Sequence, residues 1–135
     1  LGDDGQGILA RAPVRAERNL LLGVPDPVAR ALTPVALRVV AGARTDRQKA
    51  ERIVAYLMQT HPYSLDFRPR RGDPVVDFVS REGAPAHCEF FASAAALLLR
   101  CVGVPTRYVV GYYAHEGMGD GEMVVRQRDA HAWVE

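Results

Sequence analysis

The stretch Ala86-His87-Cys88-Glu89-Phe90-Phe91-Ala92-Ser93 places one cysteine at the head of a long apolar segment, Phe90 to Val102. Only Ser93 and Arg100 interrupt that segment, and a helix that is apolar all round is typical of a buried position inside a domain. A cysteine in the first turn would face unpaired backbone N–H groups and the positive end of the helix dipole. Both favour the thiolate, the form of cysteine that attacks carbonyl carbon.

A second stretch, Asp129-Ala130-His131-Ala132-Trp133-Val134-Glu135, offers a histidine in sequence typical of a β-strand. A cysteine and a distant histidine that folding brings together are the minimum for thiol-based acyl transfer. We therefore predict that Cys88 is a nucleophile, that His131 is its base, and that the two lie within reach of each other. The structural alternative is a buried cysteine and a half-buried strand histidine without chemistry.

These stretches resemble the transglutaminase-like core domain of the papain-like cysteine acyltransferases, and in particular its bacterial, membrane-anchored branch. The resemblance spans roughly residues 20–135, and several separate motifs carry it in the same order. The matching segments are CEFFAS at 88–93, LLLR at 97–100, GVPTRYVVGY at 103–112 and DAHAWVE at 129–135, preceded by TDRQKA at 45–50 and HPYSL at 61–65.

The resemblance implies an α+β fold in which N-terminal helices precede a buried helix that begins at the nucleophile and packs on an antiparallel sheet. It implies acyl transfer on glutamine side chains of proteins or peptides, with an amine or water as the acceptor and with Cys88 and His131 as the catalytic residues. A cysteine peptidase or amidase with the same site, or a non-catalytic binding domain, is an alternative. It also implies an extracytoplasmic domain of a membrane-anchored bacterial protein. No metal or organic cofactor follows from these motifs.

Two departures from the family pattern concern the site. Alanine occupies position 86, where the family usually has glycine, a residue that permits close substrate approach or a special backbone angle. The family places an aspartate that orients the histidine on the next strand, which would lie beyond Glu135. Asp129 could take its place, although a loop-closing role is favoured. We therefore expect this 135-residue chain alone to be weakly active or inactive, with an unpaired strand edge through which it could self-associate.

Composition excludes several classes of partner. The 17 basic and 16 acidic residues give a net charge of +1, which does not indicate binding to nucleic acid. No apolar run approaches the ~20 residues that cross a bilayer, so we expect a soluble chain without direct membrane contact. Cys88 and Cys101 are thirteen residues apart. On one helix that spacing is nearly ~20 Å, too far for a disulfide.

The chain reads as one domain, residues 20–135, preceded by an extended or flexible arm over residues 1–19. Thr45 and Gln48 form a capping-box pattern at a helix start. The predicted helices cover 27–40, 45–60, 75–80 and 88–102, and the predicted strands cover 106–113, 122–127 and 130–135.

The remaining candidates have weaker signals. His87 could line a substrate cleft, whereas His61 and His115 are expected on the surface or in loops. Tyr63 could donate to an oxyanion or pack in the core, and Trp133 is expected to pack beside His131. A zinc site built from Cys88 and these histidines has no recognisable spacing.

Overall fold

Within residues 15–135, which the computed structural model describes, five helices precede four short strands, so the predicted α+β class is confirmed. The helices are α1 (Arg15–Leu21), α2 (Asp26–Val39), α3 (Asp46–Thr60), α4 (Pro74–Ser80) and α5 (Cys88–Cys101). The strands are β1 (Tyr108–Tyr112), β2 (Glu116–Gly117), β3 (Met123–Val124) and β4 (Ala130–Val134), with a 3₁₀ turn at Gln127–Asp129.

Helix α5 is the centre of the domain, as its apolar circumference predicts. It packs against α2, α3 and α4 on one side and against β4 on the other. Small side chains let these neighbours approach its backbone closely. The buried residues of α5 are Ala92, Ala94, Ala95, Ala96, Leu98 and Leu99.

Two of the surrounding helices begin with side-chain caps. The Thr45 hydroxyl accepts the Gln48 N–H at 3.1 Å, which confirms the predicted cap of α3. The Gln48 side chain, however, accepts from Arg44 N–H rather than from Thr45 N–H. Asp73 caps α4 by accepting from Val75 N–H at 2.9 Å and from the next amide at 3.0 Å. Helix α5 has no such cap, because His87 precedes it without a side-chain bond.

Strands β1 and β4 form an antiparallel pair in which Gly111 lies opposite His131 and Val109 lies opposite Trp133. The strand predicted over 122–127 is shorter, since β3 spans two residues and pairs with β2 in a separate hairpin. Left-handed glycines at 119 and 121 form the turn of that hairpin. Among the described residues β4 pairs with β1 alone. Self-association through its other edge stays a prediction.

The structure corrects the arm predicted over residues 1–19, because residues 15–19 belong to helix α1. Arginine and glutamate favour a helix, and Glu17 in the first turn complements the helix dipole. Residues 1–14 lie outside the described part of the chain. Along residues 15–135 no single helix is long and apolar enough to span a membrane, whereas α1 and α2 together pass that test but meet at 84°.

A polar clamp fastens the start of β1 to the end of α5. The Arg100 guanidinium donates to the Thr106 carbonyl at 2.8 Å, to the Thr106 hydroxyl at 3.2 Å and to the Gly23 carbonyl at 3.0 Å. The buried Thr106 hydroxyl in turn donates to the Ala96 carbonyl at 3.1 Å. This clamp sets where β1, and therefore its partner β4, lies relative to α5.

Replacing Arg100 with leucine should lower the free energy of unfolding by about 2–3 kcal/mol, because three acceptors lose a charged donor. Urea denaturation measures this free energy of unfolding. An unchanged m-value, the slope of that free energy against urea concentration, shows that the variant unfolds from the same folded state. The matched control is Arg47→Leu on α3, whose side chain is 88% exposed and pairs with Glu51. That change should cost less than about 0.5 kcal/mol, and equal losses in the two variants would contradict the clamp.

Candidate active site

Cys88 is the first residue of α5, half-buried, with a free thiol. The chain enters the helix through an extended His87, whose carbonyl accepts the N–H groups of Phe90 at 3.1 Å and Phe91 at 3.3 Å. The N–H groups of Cys88 and Glu89 precede these and have no intrahelical acceptor. The thiol therefore lies beside free backbone donors and the positive end of a 14-residue helix.

The segment before Cys88 is fixed by a short parallel bridge. Ala86 N–H donates to the Pro62 carbonyl at 3.1 Å, and Ser64 N–H donates to the Ala86 carbonyl at 2.8 Å. The Ala86 side chain is fully buried in the core. Among the described residues every positive φ belongs to a glycine, so position 86 does not use the backbone angle that a glycine would permit. The bridge holds the helix start in place.

His131 lies on β4 and lines the same cleft as Cys88. Folding therefore brings Cys88 and His131, which are 43 residues apart in the sequence, to one cleft of about 550 Å³. The rest of its lining is apolar or uncharged apart from one histidine, His61. These residues are Val54, Leu57, Met58, His61, Pro62, Tyr63, Phe91, Ala92, Ala95, Ala132, Trp133 and Val134.

The apolar residues of α3 divide between the core and the cleft. Ile53 and Leu57 are buried in the core. Val54 and Met58 line the cleft, and Met58 is 70% exposed. Tyr63 lines it as well and is 64% exposed, with its ring stacked on Phe91 at 6.4 Å. Tyr63 is therefore a cleft residue rather than a core residue.

Asp129 closes the loop before β4. Its carboxylate accepts the Arg126 N–H at 2.7 Å, and its carbonyl accepts the Tyr113 N–H at 2.8 Å. The side chain is buried in this turn. The loop-closing role favoured from the sequence is the one that the structure shows.

His61 was expected on the surface or in a loop. It lies just after the end of α3, outside any helix, but it is 2% exposed, so the expected surface position is wrong. Its Nδ1 lies 3.0 Å from the Ala84 carbonyl, which assigns the ring proton to Nδ1. The ring packs on Phe78 at 4.2 Å, and Nε2 is buried with no protein partner within the described chain. Burial lowers the pKa of His61 below 6.5, against the opposing effects of the Ala84 hydrogen bond and Glu82. Position 61 follows Leu57 by one helical turn, and that spacing was the available signal.

Tyr108, the first residue of β1, is a further residue near Cys88 that sequence reasoning missed. Burial raises the pKa of its phenol, and the electrostatic effects of the nearby Glu89 and Cys88 raise that pKa further. The phenol therefore stays protonated near the start of α5. No sequence signal identifies it, because its place depends on how β1 crosses α5.

The other candidates are not among the residues that line the cleft. His87 packs edge-to-face on Phe90 at 5.2 Å and is not among the lining residues. His115 is exposed in the loop before β2, as expected. Cys101 is a free thiol at the far end of α5 that packs against the core. Within residues 15–135 no group of three or more His, Cys, Asp or Glu side chains could hold a metal ion.

The buried His61 predicts a pH-dependent stability. Because its pKa is lower in the folded state, the unfolded protein binds a proton that the folded protein does not. Stability should be full above pH 6.5 and should fall as the pH decreases from 6.5 towards the folded pKa. His61→Phe, which keeps a ring against Phe78, should make urea unfolding less pH-dependent in that window despite a lower stability. The exposed His115→Phe variant should keep the wild-type dependence, and a His61→Phe profile parallel to wild type would refute the assignment.

Comparison with known proteins agrees with this geometry. The chain is 36% identical over 127 residues to a protein-glutamine gamma-glutamyltransferase of Pseudomonas aeruginosa, an alignment that covers 87% of this chain and 18% of that protein. It is 36% identical over 72 residues to the uncharacterized protein YebA of Bacillus subtilis, covering 50% of this chain and 10% of YebA. The chain thus spans less than a fifth of the length of these relatives.

The fold matches a solved structure and a family profile. The periplasmic domain of TgpA from Pseudomonas aeruginosa, in a crystal structure bound to ethylmercury, superposes with a TM-score of 0.69 at 30% identity. That match covers 88% of this chain and 43% of the TgpA chain. The profile of the transglutaminase-like superfamily matches residues 33–135, from within α2 to the end of β4. The chain therefore belongs to the transglutaminase-like superfamily.

Proposed function

We propose that this domain transfers the acyl group of a glutamine side chain, in a protein or peptide, to an amine or to water. Cys88 acts as the nucleophile and His131 as the general base and acid. The observation that carries the proposal is the single cleft that both residues line. The transferase named among its relatives supports the same chemistry.

The reaction proceeds in two halves. The Cys88 sulfur attacks the amide carbonyl carbon while His131 takes the thiol proton, and a tetrahedral intermediate forms. His131 then gives that proton to the leaving nitrogen, the C–N bond breaks, and ammonia departs from a thioester. An amine or water attacks the thioester with His131 again as the base. The products are a substituted amide or a glutamate, and the Cys88 thiol is regenerated.

The start of α5 supplies the oxyanion site in this proposal. The Cys88 N–H has no intrahelical acceptor and no side-chain cap competes for it. A backbone donor held by a rigid helix stabilises developing charge without reorganisation. Tyr63, which lines the cleft beside this helix start, is the side chain that we assign as the second donor.

The lining of the cleft supports a neutral acyl donor. It contains no carboxylate, guanidinium or ammonium group, so an uncharged amide enters without leaving an ionised partner buried. We also propose an extracytoplasmic location for the parent protein and a membrane anchor elsewhere in it, because the matched TgpA structure is a periplasmic domain.

Amine incorporation into a glutamine-containing peptide tests the proposal. Because the 135-residue chain alone is expected to be weakly active, the assay uses a version extended past Glu135 through the next strand. That wild-type protein should incorporate a fluorescent amine, Cys88→Ala should abolish incorporation, and His131→Gln should lower it by at least about 100-fold, as expected for loss of a general base. Mass spectrometry of the peptide without added amine distinguishes transfer from hydrolysis by the glutamate formed. A wild-type protein that modifies the peptide in neither way would favour a non-catalytic binding domain.

Cysteine labelling separates the two thiols independently of substrate. Stoichiometric iodoacetamide should modify Cys88 in the folded protein and leave Cys101 unlabelled, because the first lies in the cleft and the second packs against the core. Peptide mapping by mass spectrometry gives the ratio, and Cys88→Ser is the control that should abolish fast labelling. Preferential modification of Cys101 would overturn the assignment of the nucleophile.

A further inference from the structure

Gly111 lies directly opposite His131 in the β1–β4 pair, and its backbone is not in the left-handed region that favours glycine. The side chain packed against position 111 explains instead why a glycine is there. A Cβ atom built at position 111 would lie 2.9 Å from Cη2 and 3.3 Å from Cζ3 of Trp133. Carbon atoms in contact prefer separations of about 3.5–4.0 Å. Any larger residue at position 111 would therefore displace the indole.

The Trp133 side chain reaches Gly111 diagonally across the two strands, since its direct partner is Val109. Its Nε1–H donates to the Glu135 carboxylate at 3.3 Å. Its rings lie nearly parallel to the imidazole of His131, with centroids 6.3 Å apart and planes inclined by 21°. The indole is thus held at one end by Glu135 and passes over Gly111 beside His131.

A role in core packing does not account for this arrangement. Trp133 is 37% exposed and lines the cleft with His131. Among the described residues, the aromatic ring that contacts the His131 imidazole is that of Trp133. The nearby carboxylate of Asp129 accepts the Arg126 N–H instead of contacting the imidazole. The imidazole is exposed, so a flat aromatic neighbour is the main restraint that the described residues place on its orientation.

We infer that Gly111 and Trp133 form a positioning unit for His131. The missing side chain at position 111 leaves room for the indole, and the indole limits the rotation of the imidazole to orientations that face the cleft. The inference rests on the proposed role of His131 as the base of Cys88. It adds two positioning residues that act through His131 rather than on the substrate.

The first test is Gly111→Ala, with Gly117→Ala as the matched control. Both glycines are on strands, but a Cβ at position 117 would meet nothing closer than the Met123 sulfur at 3.9 Å. Trp133 is the single tryptophan, so its fluorescence emission reports the displacement directly. NMR titration of His131 reports the effect on the base without substrate. Gly111→Ala should change both signals and lower kcat/KM for amine incorporation by about 10–100-fold, while Gly117→Ala should change none of them.

The second test is rescue. Trp133→Phe removes the outer ring that a Cβ at position 111 would meet. In that background Gly111→Ala should cost less than about 3-fold in kcat/KM, a coupling expected of residues in contact. An equal cost in both backgrounds, or an unchanged His131 titration in a folded Gly111→Ala variant, would overturn the positioning unit. A wild-type protein extended past Glu135 that showed neither transfer nor hydrolysis would instead contradict the proposed function, and the emission and titration would still decide whether the unit exists.

Discussion

The burial of α5 is the constraint on which the rest of the structure depends. A helix that must be covered on most of its circumference needs helices on one side and a sheet on the other, and this chain provides α2, α3, α4 and β4. Covering the helix also fixes its first residue, because the bridge between Ala86 and the Pro62–Ser64 segment anchors the approach to Cys88. The packing that stabilises the core therefore also fixes the position of the Cys88 thiol.

The backbone N–H groups at the helix starts are capped by side chains in α3 and α4 but are left uncapped in α5. Thr45 and Asp73 satisfy the first amides of α3 and α4, which are scaffold helices. The start of α5 lacks such a cap, and its free N–H groups face the region where the thiol lies. A side-chain cap there would stabilise the helix by about 1 kcal/mol but would occupy the donors that an oxyanion needs. The domain lacks that stabilisation at the helix that carries the proposed nucleophile, Cys88.

Sequence patterns with local causes were predictable, and those with tertiary causes were not. The buried character of α5 and the Thr45 cap follow from apolar patterning and capping chemistry. The common cleft of Cys88 and His131 is tertiary, and it was expected only because of the family resemblance. The burial of His61 was missed because the following proline suggested a loop, although the spacing from Leu57 continues the buried face of α3. The approach of Tyr108 to Cys88 and the overlap of Gly111 with Trp133 depend on strand register and crossing, which no local pattern encodes.

The two catalytic candidates are held by different means, and the difference has a physical reason. In the proposed reaction Cys88 needs little freedom, because the helix start that would activate it is also its support. In the same proposal His131 accepts a proton and then delivers it to a different atom, so its ring has to remain accessible. Strand β4 exposes it while Ala132 on the opposite face anchors the strand. An exposed imidazole gains no orientation from burial. A contact that restricts rotation without covering the ring nitrogens meets that need, and the inferred role of the indole beside His131, in the space left by Gly111, is to supply such a contact.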